Sequence, residues 1–102
     1  MKDQEVEDYV TAKGLTAPRV TLDQVTAIAD AGDVDYYIFP GTTVTVCLIT
    51  LENGFSVLGK SACADPRNFD AELGRRLAYD RAKSQIWELE GYRLCQELQA
   101  AA

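Results

Sequence analysis

The chain has 102 residues, 47% of them hydrophobic and 25% charged, with a net charge of −6 and no histidine. That is room for one domain and one core, in which about two thirds of the unfolded chain's surface is hidden, and it is too apolar for a disordered segment. The acidic balance repels polyanions and argues against coating of bulk nucleic acid or docking on an anionic membrane.

Charge is unevenly spread. Residues 1–33 carry seven acids against three bases, residues 34–66 three against one, and residues 67–102 six of each. The cations therefore concentrate in the last third, as Arg67, Arg75, Arg76, Arg81 and Lys83. The longest apolar run, Val44–Leu51, is interrupted by threonines and falls far short of the roughly 20 residues a bilayer span requires. The start, Met1-Lys2-Asp3-Gln4-Glu5, has no apolar stretch behind it and does not read as a secretory signal. Cys47, Cys63 and Cys95 stand at wide spacing that suits neither a disulfide framework nor a metal knuckle, so reduced thiols and a cytosolic setting are expected.

In chain order, Val6, Tyr9 and Val10 recur at helical spacing, so residues 3–12 form a short acidic helix or a partly frayed arm that stops at Gly14. Residues 1–17 are thus a mobile N-terminal element of a single domain covering 1–102. Thr21-Leu22-Asp23-Gln24 reads as a reciprocal capping box. The helix behind it presents Leu22, Val25, Ile28 and Ala29 on one face and ends at Gly32. Val34–Phe39 is aromatic and β-branched, a first strand closed by Pro40-Gly41. Thr42–Leu51 alternates threonines with Val44, Val46 and Leu48, which suits a strand with that face buried; Cys47 and Ile49 thicken the other face of a central strand. Asn53-Gly54 supplies the positive φ angles of a tight hairpin. The return strand, Phe55–Ala62, contains Gly59, a mark of a bulge or a close backbone approach.

Asp65-Pro66 reads as the start of the last helix, with Asp65 as cap and Pro66 in the first turn. Phe69, Leu73, Leu77, Ala78, Ala82, Ile86 and Leu89 form one apolar stripe along it. Gly91 is a candidate break, after which Leu94, Cys95 and Leu98 make a final amphipathic stretch. An apolar stripe running past Gly91 calls for a partner, and a two-fold homodimer is the usual answer for a small domain. The fold class is α+β: a small three-stranded antiparallel sheet with N-terminal helices and a long C-terminal helix packed on one face.

Catalytic signatures are sparse. Without histidine the commonest general base, the usual triads and most zinc sites are missing. Cys63, just before a helix start and near Arg67, is the one candidate nucleophile, although small inert cysteines at strand ends are the commoner case. Asp65, Asp70 and Glu72 could pair for acid–base work or Mg²⁺ binding; acids in a first helical turn are explained more simply by the helix dipole. No glycine pattern makes a phosphate loop. A non-catalytic protein needing neither metal nor cofactor is expected.

The arginine set is more suggestive. Arg67, Arg75 and Arg76 could grip phosphates bidentately, Tyr79 or Trp87 could stack on a base, and Ser61 and Asn68 could add polar contacts. The same charges also suit a solvated face, since Glu72 and Arg76, and Arg76 and Asp80, stand four apart.

Several elements carry a family resemblance: Pro18-Arg19-Val20-Thr21, Asn53-Gly54-Phe55, Gly59-Lys60-Ser61-Ala62-Cys63, Asn68-Phe69-Asp70-Ala71-Glu72-Leu73-Gly74 and Ile86-Trp87-Glu88-Leu89-Glu90-Gly91-Tyr92. In this order and separation, across roughly residues 18–98, the chain resembles small tailed-phage proteins related to gene product forty-nine of one podovirus and sixty-six of another. The resemblance implies a phage or prophage origin and the host cytoplasm as the place of action. It implies no activity. Small phage proteins of this accessory type often act in counter-defence. Two functional expectations follow: sequestration of a small anionic nucleotide signal by a homo-oligomer, or inhibition of a host protein by an acidic interaction module using Glu5, Glu7 and Asp8.

Overall fold

The computed structural model describes residues 2–102; Met1 lies outside them. In chain order come helix α1 (Asp3–Ala12), helix α2 (Leu22–Asp30), strands β1 (Asp33–Ile38), β2 (Thr45–Thr50) and β3 (Ser56–Ser61), a 3-10 turn (Pro66–Asn68) and helix α3 (Ala71–Ala101). The strands form one antiparallel sheet in the order β1-β2-β3. The α+β class and the long C-terminal helix against the sheet are as the sequence predicts.

Local chemistry explains most boundaries. The Thr21 hydroxyl accepts the amide of Gln24 at 3.1 Å, which fixes the start of α2. The reciprocal half of the box is not made, because the Gln24 side chain reaches Glu90 instead. At the hairpin, the Gly54 amide donates to the Leu51 carbonyl and the Leu51 amide to the Phe55 carbonyl. Within this turn only Gly54 has positive φ, at 90°, and Asn53 does not, so the connection is a type I turn closed by a glycine bulge rather than the doubly left-handed Asn-Gly turn expected. Asn53 contributes through its side chain, whose Oδ1 accepts the Phe55 amide at 3.0 Å.

The core lies between α2, α3 and one face of the sheet. α2 supplies Val25 and Ala29; the sheet supplies Cys47, Ile49 and Val57; α3 supplies Ala78, Ala82 and Ile86. The buried face of β2 is therefore Thr45, Cys47 and Ile49, and Val46 and Leu48 point the other way. This reverses the expected assignment of faces. Alternation identified the strand but could not say which half of a doubly apolar strand the helix would cover.

α3 departs from expectation in three ways. It starts at Ala71, where Asp70 Oδ1 accepts the Leu73 amide at 2.9 Å, and Asp65 caps only the preceding 3-10 turn. Phe69, at the end of that turn, has extended ψ and keeps the two segments apart. The helix is unbroken at Gly91 and runs 31 residues, about 46 Å. Finally, its buried line is Ala78, Ala82 and Ile86, while Leu73, Leu77 and Leu89 stay exposed. The reason is close approach. A β-carbon on Gly59 would overlap the Ala78 carbonyl and the Ala82 amide, so small residues must face the sheet and the leucines fall to the flanks.

Candidate functional site

The seven side chains singled out from the sequence do not converge. Arg67 is held by its neighbour, Nη2 lying 2.6 Å from Asp65 Oδ2. Arg76 is exposed and paired with Glu72 at 3.0 Å. Ser61 is buried, and its hydroxyl donates to the Gly74 carbonyl at 2.6 Å, pinning β3 to α3. Asn68 borders a cleft of about 40 Å³ that Ser61, Cys63 and Phe69 also line, enough for water and far below a nucleotide-sized site. Trp87 packs partly against the core, with Nε1 3.3 Å from Asp3 Oδ2. It stands three turns of helix beyond Arg75, about 18 Å along the axis.

Two of the seven do come together, with a residue the sequence did not single out. Arg75 and Tyr79 are one turn apart on the flank of α3 that overlooks β1, and both are half-buried. Tyr36 is on the same side of the sheet, opposite Cys47 in the ladder. Burial pushes the Tyr36 phenol above its usual range; Cys47 adds to the rise, and the Arg75 charge opposes it. Tyr79 is likewise raised, by burial first and then by the Asp30 charge. Among the described residues, Arg75 makes no ion pair or side-chain hydrogen bond, whereas Arg19, Arg67, Arg76 and Arg93 each pair with an acid. An aromatic shelf with one available guanidinium suits a small anion bearing a ring.

The opposite face of the sheet is uncovered. It carries Tyr37 and Phe39, whose rings meet edge to face at 4.9 Å, together with Val46, Leu48 and Leu58. Tyr37 is 53% and Leu58 52% exposed. No helix packs there, because α2 and α3 both contribute to the core on the other side. Alternation could not have revealed this patch, for the reason given above.

Of the three carboxylates Glu5, Glu7 and Asp8 in the acidic arm, Glu7 is tied into the fold. Glu7 accepts both guanidinium nitrogens of Arg19, at 2.8 and 2.9 Å, and the Leu22 amide at 2.9 Å. It thereby ties α1 to the N-terminus of α2, where a carboxylate meets a free helix amide and the positive end of the dipole. Glu5 and Asp8 remain exposed. Cys63 is half-covered, its thiol donating to the Asp65 carbonyl at 3.3 Å. Among the described residues no group of three Cys, Asp or Glu is placed to hold a metal, and no helix is long and apolar enough to cross a membrane.

These features define a small α+β domain, one sheet face backed by helices and the other left open. Residues 5–98 match the phage protein family typified by N4 Gp49 and phage Sf6 gene 66, and the chain belongs to that family. No curated protein and no solved structure shows a significant match.

Proposed function

We propose that this phage protein is a non-catalytic accessory protein that docks on a host protein in the host cytoplasm, as a counter-defence inhibitor. The observation that carries the reading is the uncovered sheet face around Tyr37, Phe39 and Leu58. Contiguous exposed aromatics on a small monomeric unit mark interaction surfaces, and Asp33 and Asp35 on the same face add an acidic rim that selects a basic-rimmed partner. Tagged protein incubated with host lysate should retain a stoichiometric partner, and a Tyr37→Asp, Leu58→Asp double variant should lose it. Absence of any stoichiometric partner, or its retention by the double variant, would sink the reading.

The second reading, sequestration of a small anionic nucleotide, is supported by Arg75 beside Tyr36 and Tyr79. Isothermal titration against cyclic di- and trinucleotides and cyclic ADP-ribose isomers should give heat with one of them, abolished by Arg75→Gln. Silence across the panel would remove this alternative.

A further inference from the structure

The two edges of the sheet are treated differently. The ladder places the Leu58 and Lys60 carbonyls on the outer edge of β3, and both are occupied: Gln85 Nε2 donates to the first and Arg81 Nη1 to the second, the latter at 2.6 Å. Lys60 adds a charged side chain to that strand, a common guard against edge pairing. Among the described residues, β1 has no such side chain on its outward carbonyls, and its charged residues are Asp33 and Asp35 rather than a lysine. The Phe39 amide bonds the Val44 carbonyl, so by alternation Asp33, Asp35 and Tyr37 bond inward to β2 and the amides and carbonyls of Val34, Tyr36 and Ile38 point outward. Among the described residues none of these outward groups has a hydrogen-bond partner. The strand contains no proline, lysine or arginine, and is exposed from Asp33 to Tyr37.

We propose that two copies of this chain pair through β1, antiparallel about a two-fold axis at Tyr36, to form one six-stranded sheet. The register follows from hydrogen-bond parity and charge. Centring on Tyr36 bonds it to the partner's Tyr36 and bonds Val34 to the partner's Ile38, so every outward group is used. Asp35 then lies across from the partner's Tyr37. Centring on Asp35 would set the two carboxylates directly opposite each other in a closely spaced pair, which is destabilising. Centring on Tyr37 would shorten the overlap and run it into Pro40, which has no amide to donate. The partner is a second copy because the strand's apolar residues complement one another in this register, Val34 against Ile38 and ring against ring. This dimer rests on neither functional reading and leaves the open sheet face accessible. Each copy carries a charge of −6, so association should tighten as salt screens the repulsion.

Sedimentation velocity on the full chain tests the proposal. The wild type should form dimers whose population rises with concentration and with salt. Tyr36→Pro should weaken the dimer at least about tenfold, because it removes an outward amide and leaves the β1–β2 ladder intact. Tyr37→Lys should stay dimeric, since its ammonium would face Asp35 of the second copy. Should Tyr36→Pro fail to fold, a Tyr36→Cys variant in a Cys47→Ala, Cys63→Ser, Cys95→Ser background, which removes the thiol opposite position 36 in the same chain, should oxidise to a covalent dimer, given a Cα separation of about 5.5 Å in such a pair. A wild type that remains monomeric at several hundred micromolar, or no cross-link through position 36, overturns the proposal. So does a dimer broken by Tyr37→Lys and untouched by Tyr36→Pro, which would place the contact on the open face.

Discussion

Gly59 of β3 lies directly beneath Ala82 of α3, so close that a β-carbon on the strand would overlap the helix backbone. Backbone atoms cannot rotate out of the way as a side chain can. Gly59→Ala should therefore destabilise the domain by about 2 kcal/mol or more, and Gly59→Val further, as overpacking against a fixed partner does. Urea unfolding monitored by the Trp87 fluorescence measures it. Wild-type midpoints for both variants would show that the helix sits farther from the sheet.

Gly91 offers the opposite sign. It lies inside α3, has no positive φ, and a β-carbon there would meet nothing within 4 Å. Gly91→Ala should raise stability by up to about 1 kcal/mol, mostly by restricting the unfolded chain and favouring helix. A loss of stability would indicate that the helix bends or breaks at this point in solution.

The starting cap of α3 is a second quantitative test. Asp70 accepts the Leu73 amide, so Asp70→Ala should cost about 1 kcal/mol. Asp65→Ala should have a smaller effect, because Asp65 serves only the short turn before the helix. The reverse order would restore the helix start read from the sequence.

The Glu7–Arg19 tie gives an acid limb to the stability profile. Arg19 first, and then the Leu22 amide, hold the Glu7 carboxyl below its ordinary value of 4.5. A depressed carboxyl contributes stability above its unfolded pKa and loses it as pH falls through the lower folded one. Hydrogen exchange in α1 should accelerate over that acid range. In Glu7→Gln it should be fast already at neutral pH, with the acid step gone; unchanged protection would detach α1 from this contact.

At the alkaline end the sign is opposite. Burial raises Cys47 above its ordinary 9.0, and Tyr36 and Tyr79 above 10.0. The unfolded chain ionises first, so it binds fewer protons than the folded one, and stability falls as pH rises past the unfolded values. Urea midpoints should drop above about pH 9, less steeply in Tyr79→Phe. A flat alkaline profile would contradict the burial of these groups.

Much of the fold was legible in the sequence because its signals are local. Thr21 caps its helix through a bond to a residue three positions on, Gly54 turns the chain by its own φ, and the alternation over Thr42–Leu51 marks a strand wherever it ends up. The phage-family motifs are likewise runs of adjacent residues, and they identified the family before any contact was known. The arginine grouping was less legible. Arg67, Arg75 and Arg76 group together in the sequence; the structure separates Arg75 and Tyr79, one turn apart on one flank, from Arg76, and nothing in the chain said that β1 would bring Tyr36 to that flank.

What only the tertiary structure decided concerns faces, edges and long-range ties. β2 is apolar on both sides, so its pattern could not choose between Cys47 and Leu48 for the helix-covered face. The choice fell to Gly59, whose missing side chain lets α3 approach that side alone. Glu7 and Arg19, twelve residues apart, became a structural pair rather than a free acidic surface because α1 folds back on the start of α2. The side chains of Gln85 and Arg81 reach across to close one sheet edge and leave β1 open. Local sequence sets conformation one turn or one strand at a time; which surfaces remain unsatisfied emerges only once those pieces are packed.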